Sequence, residues 1–105
     1  MLTVANKKSI ALDKLRRSAQ LSGVTMKVLG LGEHWKGLGD KVWLLKQELE
    51  YHKDDTSKVI LFADGYDVLI NDNITNILEK FYRSRFQILF AAEHNTWTGL
   101  TGCPE

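Results

Sequence analysis

The sequence predicts an α/β fold with a mostly parallel sheet, and three observations lead there. Short apolar runs alternate with amphipathic stretches in the order β-α-β-α-β-α-β. The strongest run, Val59 to Ala63, is apolar on both faces, as central parallel strands are. Glycine-rich or polar stretches, such as Gly30 to Gly39 and Lys53 to Ser57, separate the elements where turns are needed.

Taken in order, Leu2-Thr3-Val4-Ala5 reads as a short buried strand. Ser9 to Leu21 reads as a helix with Ile10, Leu12, Leu15 and Ala19 apolar and Lys14, Arg16 and Arg17 solvated; Gly23 suits its C-terminal stop. Thr25 to Leu29 is a second strand, with Met26 a core residue. Asp40 can cap a helix from Lys41 to about Tyr51, whose Val42, Leu45 and Leu49 share a face. Val59 to Ala63 is the third strand, Asn73 or Thr75 opens a helix running through Phe81 and Tyr82, and Ile88 to Ala92 is a fourth strand. The segment from His94 to Glu105 has no periodicity.

Composition excludes several classes. The 105 residues are 44% hydrophobic and 26% charged, a globular balance for one small domain or a piece of a larger one. Net charge is +1, divided into nine Lys/Arg against three Asp/Glu over residues 1–46 and five against ten over 47–105. No dense basic tail points to nucleic acid. The single cysteine, Cys103, excludes an internal disulfide and a two-cysteine metal site. No signal-peptide pattern and no run of membrane-spanning length is present.

Chemistry concentrates in Val59-Ile60-Leu61-Phe62-Ala63-Asp64-Gly65-Tyr66-Asp67-Val68-Leu69-Ile70. Two carboxylates interrupt an apolar run, and an unpartnered buried carboxylate is costly. In open α/β sheets ligands bind beyond the carboxyl ends of strands, where Asp64 falls. Gly65 allows a sharp turn that brings Asp67 to the same side. Two such carboxylates suit Mg²⁺ or Mn²⁺, which bridge protein oxygens to phosphate, and Tyr66 can stack on a base or bond a ribose. The same residues equally suit a loop cap or an ion pair, Asp67 with Lys41 for instance. A haloacid-dehalogenase-type phosphatase needs its aspartates two apart on the first strand, and these are three apart on the third. A receiver domain needs an acidic pair after the first strand, where this chain has Asn6-Lys7-Lys8.

The loop Gly30-Leu31-Gly32-Glu33-His34-Trp35-Lys36-Gly37-Leu38-Gly39 is neither a dinucleotide fingerprint, since position 35 is Trp, nor a P-loop, since Lys36 and Lys41 do not stand in G-K-[ST]. His34 reads as a surface residue in preference to a ligand, Trp35 and Trp97 as covers for the sheet ends in preference to sugar platforms, and Cys103 as a bystander.

Four ordered blocks carry a resemblance: Val28 to Gly37, Lys41 to Lys46, Phe62 to Leu69, and Phe90-Ala91-Ala92-Glu93 with Trp97. Together they resemble the N-terminal glycosyltransferase domain of the procollagen lysyl hydroxylases over essentially the whole chain. The resemblance implies the first half of a Rossmann-like GT-A nucleotide-sugar-binding domain, so that residues 1–105 read as a single partial domain. It implies transfer of a sugar from a UDP-sugar to hydroxylysine-linked, collagen-like acceptors, with Mn²⁺ as cofactor. By match, Asp64 and Asp67 are metal ligands; Val4, Ala5, Asn6, Asp64, Gly65 and Tyr66 hold UDP; Glu93 and Trp97 lie on the sugar and acceptor side. No catalytic base is implied. The family works in the endoplasmic reticulum lumen. This chain departs from the pattern by a shorter stretch between Trp35 and Lys41, and by Leu44 where the family tends to have Trp. The family's further histidine ligand is matched by none of His34, His52 or His94. The alternative is a truncated module that binds a nucleotide or a partner without transfer, its exposed sheet edge inviting self-association.

Overall fold

Two strands and three helices form in the computed structural model, which describes residues 1–92: β1 (Leu2–Val4), α1 (Ile10–Leu21), β2 (Lys27–Leu29), α2 (Gly39–His52) and α3 (Ile74–Ser84). β1 and β2 pair in parallel, with Leu2 opposite Lys27, Thr3 opposite Val28 and Val4 opposite Leu29. Leu2, Val4, Ala5, Leu12, Leu15, Ala19 and Leu29 are the buried apolar core. The architecture is therefore α/β, and its sheet is smaller than expected.

α1 follows its local chemistry. The Ser9 hydroxyl accepts from Leu12 N at 3.1 Å and caps the N-terminus. Leu12, Leu15 and Ala19 lie at helical spacing and are buried, whereas Ile10, expected on the same stripe, is exposed in the first turn. At the other end Val24 N donates to Ala19 O at 3.0 Å and Gly23 N to Gln20 O at 3.2 Å, with Gly23 at φ +86°. That is a Schellman stop, and the left-handed residue it needs is the predicted glycine. α3 is capped by Asn73, whose side chain accepts from Thr75 N at 2.8 Å.

α2 corrects two expectations. Asp40 does not cap it; Leu38 stands at the cap position without a side-chain bond, and Asp40 sits in the first turn, accepting from Lys36 N at 2.6 Å. Nor do Val42, Leu45 and Leu49 form its inner face, because Val42 is 68% and Leu49 41% exposed. The half-covered row is Lys41, Leu44, Leu45, Glu48 and His52. Charge sets this rotation: Lys27 of β2 places both Glu48 carboxylate oxygens at 2.8 Å, and His52 bonds the same carboxylate at 3.1 Å.

The third strand shrinks to a single parallel bridge, Leu2 with Phe62. Leu2 N donates to Leu61 O at 2.8 Å and Ala63 N to Leu2 O at 3.1 Å. The next acceptor along that edge, Ala63 O, is engaged by the Thr3 hydroxyl at 2.7 Å, and the chain then turns away at Gly65. The fourth strand does not form. Ile88 is 72% and Phe90 86% exposed, because a strand exists only against a partner ladder and one bridge is not an edge. Met26, expected in the core, is half-buried, and His34 is exposed as expected. Among the described residues no helix is long and apolar enough to cross a membrane.

Candidate functional site

β1 lies between β2 on one side and residues 61–63 on the other. The chain therefore reverses the direction of strand addition at β1. In open parallel sheets the crevice beyond the carboxyl ends at such a reversal is where ligands bind. Two chain segments leave the sheet there: Ala5-Asn6 after β1 and Asp64-Gly65-Tyr66 after the bridge.

Gly65 joins them. It is buried, and a Cβ built on it would stand 3.1 Å from Val4 O, 3.2 Å from Thr3 Oγ1 and 3.4 Å from Ala5 Cβ. Two of those neighbours are held in the sheet and cannot retreat. Gly65→Ala is expected to cost about 1–3 kcal/mol by overpacking, read as a fall in the thermal midpoint of roughly 4–8 °C per kcal/mol.

Asp64 is half-buried and ion-paired with the Lys41 ammonium of α2, and its Oδ1 accepts from Tyr66 N at 3.2 Å. Burial raises the pKa of this carboxyl. The Lys41 hydrogen bond, the Tyr66 and Gly65 N–H groups and the Lys41 charge outweigh burial and hold it below its ordinary value. A carboxylate depressed in the folded chain contributes stability above its unfolded pKa and loses it as pH falls through the folded value. Lys41→Met should therefore shift the Asp64 carboxyl upward, so that its contribution is smaller and is fully lost at a higher pH, as a carboxyl-carbon NMR titration would show. Sequence spacing suggested Lys41 for Asp67; the structure gives it to Asp64.

Asp67 is exposed and has no ion-pair partner among the described residues. Among those residues no group of three or more His, Cys, Asp or Glu side chains stands ready to hold a metal. The donor chemistry nonetheless fits a hard divalent ion. Asp64 already holds a cation, Asp67 follows in the same turn, and such ions are commonly bound by one or two carboxylates with substrate phosphates and water filling the rest.

Tyr66 Oη donates to Asn6 Oδ1 at 3.1 Å across 60 positions of sequence, and Asn6 O accepts from Gly32 N at 2.8 Å. The glycine-rich loop is thereby tied to the same crevice. Sequence reasoning placed Asn6 and Tyr66 near one ligand but missed their bond; the signal available was their common position just past strands. Trp35 is half-buried beside Gly30, its Nε1 buried without a partner among the described residues, in keeping with a cover on the sheet end. Val4 and Ala5 are fully buried behind the site. Glu93, Trp97, His94 and Cys103 lie outside the described residues.

Comparison with known proteins gives a match to the family model described as PLOD GT domain over residues 1–101. The human procollagen-lysine,2-oxoglutarate 5-dioxygenase 1 is 44% identical over 100 residues, 89% of this chain and 14% of that relative. The human multifunctional procollagen lysine hydroxylase and glycosyltransferase LH3 is 36% identical over 105 residues, 92% of this chain and 14% of the relative. A Caenorhabditis elegans multifunctional procollagen lysine hydroxylase and glycosyltransferase is 36% identical over the whole chain and 16% of its own length. The chain thus spans about a seventh of the length of these relatives.

Proposed function

Because the chain belongs to the PLOD GT domain family, we propose that it is the donor-binding part of a glycosyltransferase of GT-A type. It takes a UDP-sugar with Mn²⁺ and serves transfer to collagen-like hydroxylysine acceptors. The observation that carries this reading is the crevice at the strand reversal, where Asn6, Asp64, Gly65 and Tyr66 meet over the ends of β1 and residues 61–63. The relatives named for glycosyl transfer on procollagen lysine supply the reaction class.

In this reading each residue has a physical task. Asp64 and Asp67 present carboxylate oxygens to the cation. When bound there, Mn²⁺ supplies neutralisation of the charge that develops on the departing diphosphate. Lys41, already on Asp64 in the free chain, keeps a second positive charge within reach of that position. Gly65 and Ala5 leave the crevice floor free of bulky side chains, and Tyr66 offers its ring to the base. Glu93 and Trp97 belong to the sugar and acceptor side.

Calorimetric titration of UDP with and without Mn²⁺ tests the reading. Saturable binding that requires the ion supports it. A folded chain that takes up no UDP at millimolar concentration in the presence of Mn²⁺ overturns it. Binding without release of sugar from a UDP-sugar would leave the chain a nucleotide-binding module.

A further inference from the structure

We propose that Asn6 is a positioning residue that fixes the Tyr66 ring before the nucleotide arrives, a proposal that rests on the donor-site reading above. Tyr66 is held at both ends. Its main-chain N–H donates to Asp64 Oδ1 at 3.2 Å, and its hydroxyl donates to Asn6 Oδ1 at 3.1 Å. The first bond sets the backbone of the acidic turn; the second sets the direction of the ring. Asn6 can serve as an anchor because it is itself anchored. It stands two residues past the end of β1, next to Ala5, whose N donates to Leu29 O at 3.1 Å, and its carbonyl accepts from Gly32 N at 2.8 Å. A half-buried tyrosine free at its tip would sample several rotamers, and a ligand stacking on it would have to select one.

The hydroxyl of Tyr66 therefore contributes orientation. Tyr66→Phe keeps the face and loses the tether; Asn6→Ala loses the same tether from the other side. Each is expected to weaken UDP binding about 3- to 10-fold, the factor for one side chain that must be immobilised on binding. The double variant is expected to bind as each single one does, since both remove one bond.

The test pairs two measurements on the same proteins. In the ligand-free chain, Hα–Hβ coupling constants of Tyr66 should report one χ1 rotamer in the parent and averaged rotamers in Asn6→Ala. Titration of UDP with Mn²⁺ should then give the equal, non-additive losses. Parent-like couplings in Asn6→Ala overturn the proposal, and so do losses that add in the double variant. Failure of the parent chain to bind UDP overturns the donor-site reading and takes the proposal with it, whereas UDP binding unchanged by Asn6→Ala overturns the positioning role alone. A role for Asn6 confined to stability would lower the thermal midpoint and leave both the couplings and the affinity of the folded fraction unaltered.

Discussion

Asp64→Ala is expected to weaken Mn²⁺-dependent UDP binding by at least about 100-fold, the upper end of what loss of an outer-shell partner costs a metal site and a lower bound for a direct ligand. The carboxylate stands at the mouth of the crevice, half-buried, with Lys41 and the Tyr66 N–H already on its oxygens. Removing it takes away the proposed ligand of the cation and the bond that sets the acidic turn together. Asp67→Ala removes a solvent-exposed carboxylate that makes no such bond among the described residues, so its loss should be confined to the ion-dependent part of the affinity. Titrations with and without Mn²⁺ separate the two. Equal affinity of parent and Asp64→Ala in the presence of the ion would remove the carboxylate from the site.

Leu15→Ala is the second large effect, and it concerns the frame. Leu15 is fully buried at the centre of α1, with Leu12 and Ala19 one turn to either side. Truncation of such a side chain costs about 2–5 kcal/mol through lost burial and the cavity left behind. Against a total stability of roughly 5–15 kcal/mol this is a large share, and here it falls on a core of only seven buried apolar residues among those described. Urea denaturation should show the midpoint fall with little change in slope. A cost below about 1 kcal/mol would mean that α1 does not close the core as its burial indicates.

These effects divide along what the sequence discloses. Ser9, Gly23 and Asn73 were legible as helix ends because a cap is satisfied within three or four residues of itself. The inner face of α2 was not legible, since Lys27, Glu48 and His52 rotate it and one of those partners lies 21 positions away on β2. Residues 59–63 carried the apolar pattern of a central strand, but pattern does not provide a partner: Ile60 and Phe62 are left exposed, and a single threonine hydroxyl takes the carbonyl that the ladder would use next. At the site, the acidic motif was visible through its cost: carboxylates in an apolar run demand company. Which company was not visible. The choice of Asp64 by Lys41, and of Asn6 by Tyr66, is made by the crossing of segments 23 and 60 positions apart.

The last turn of α1 has a reach beyond its own helix. The Ser18 hydroxyl accepts from Ile70 N at 2.9 Å, the Ser22 hydroxyl donates to Ile70 O at 3.5 Å, and Ser22 O accepts from Ile74 N at 2.8 Å. The strip that follows the acidic turn is thus moored to a helix end 48 residues earlier. The amide proton of Ile70 should accordingly exchange with solvent at the pace at which the end of α1 frays, a clock set by Gly23 and not by the loop in which Ile70 sits.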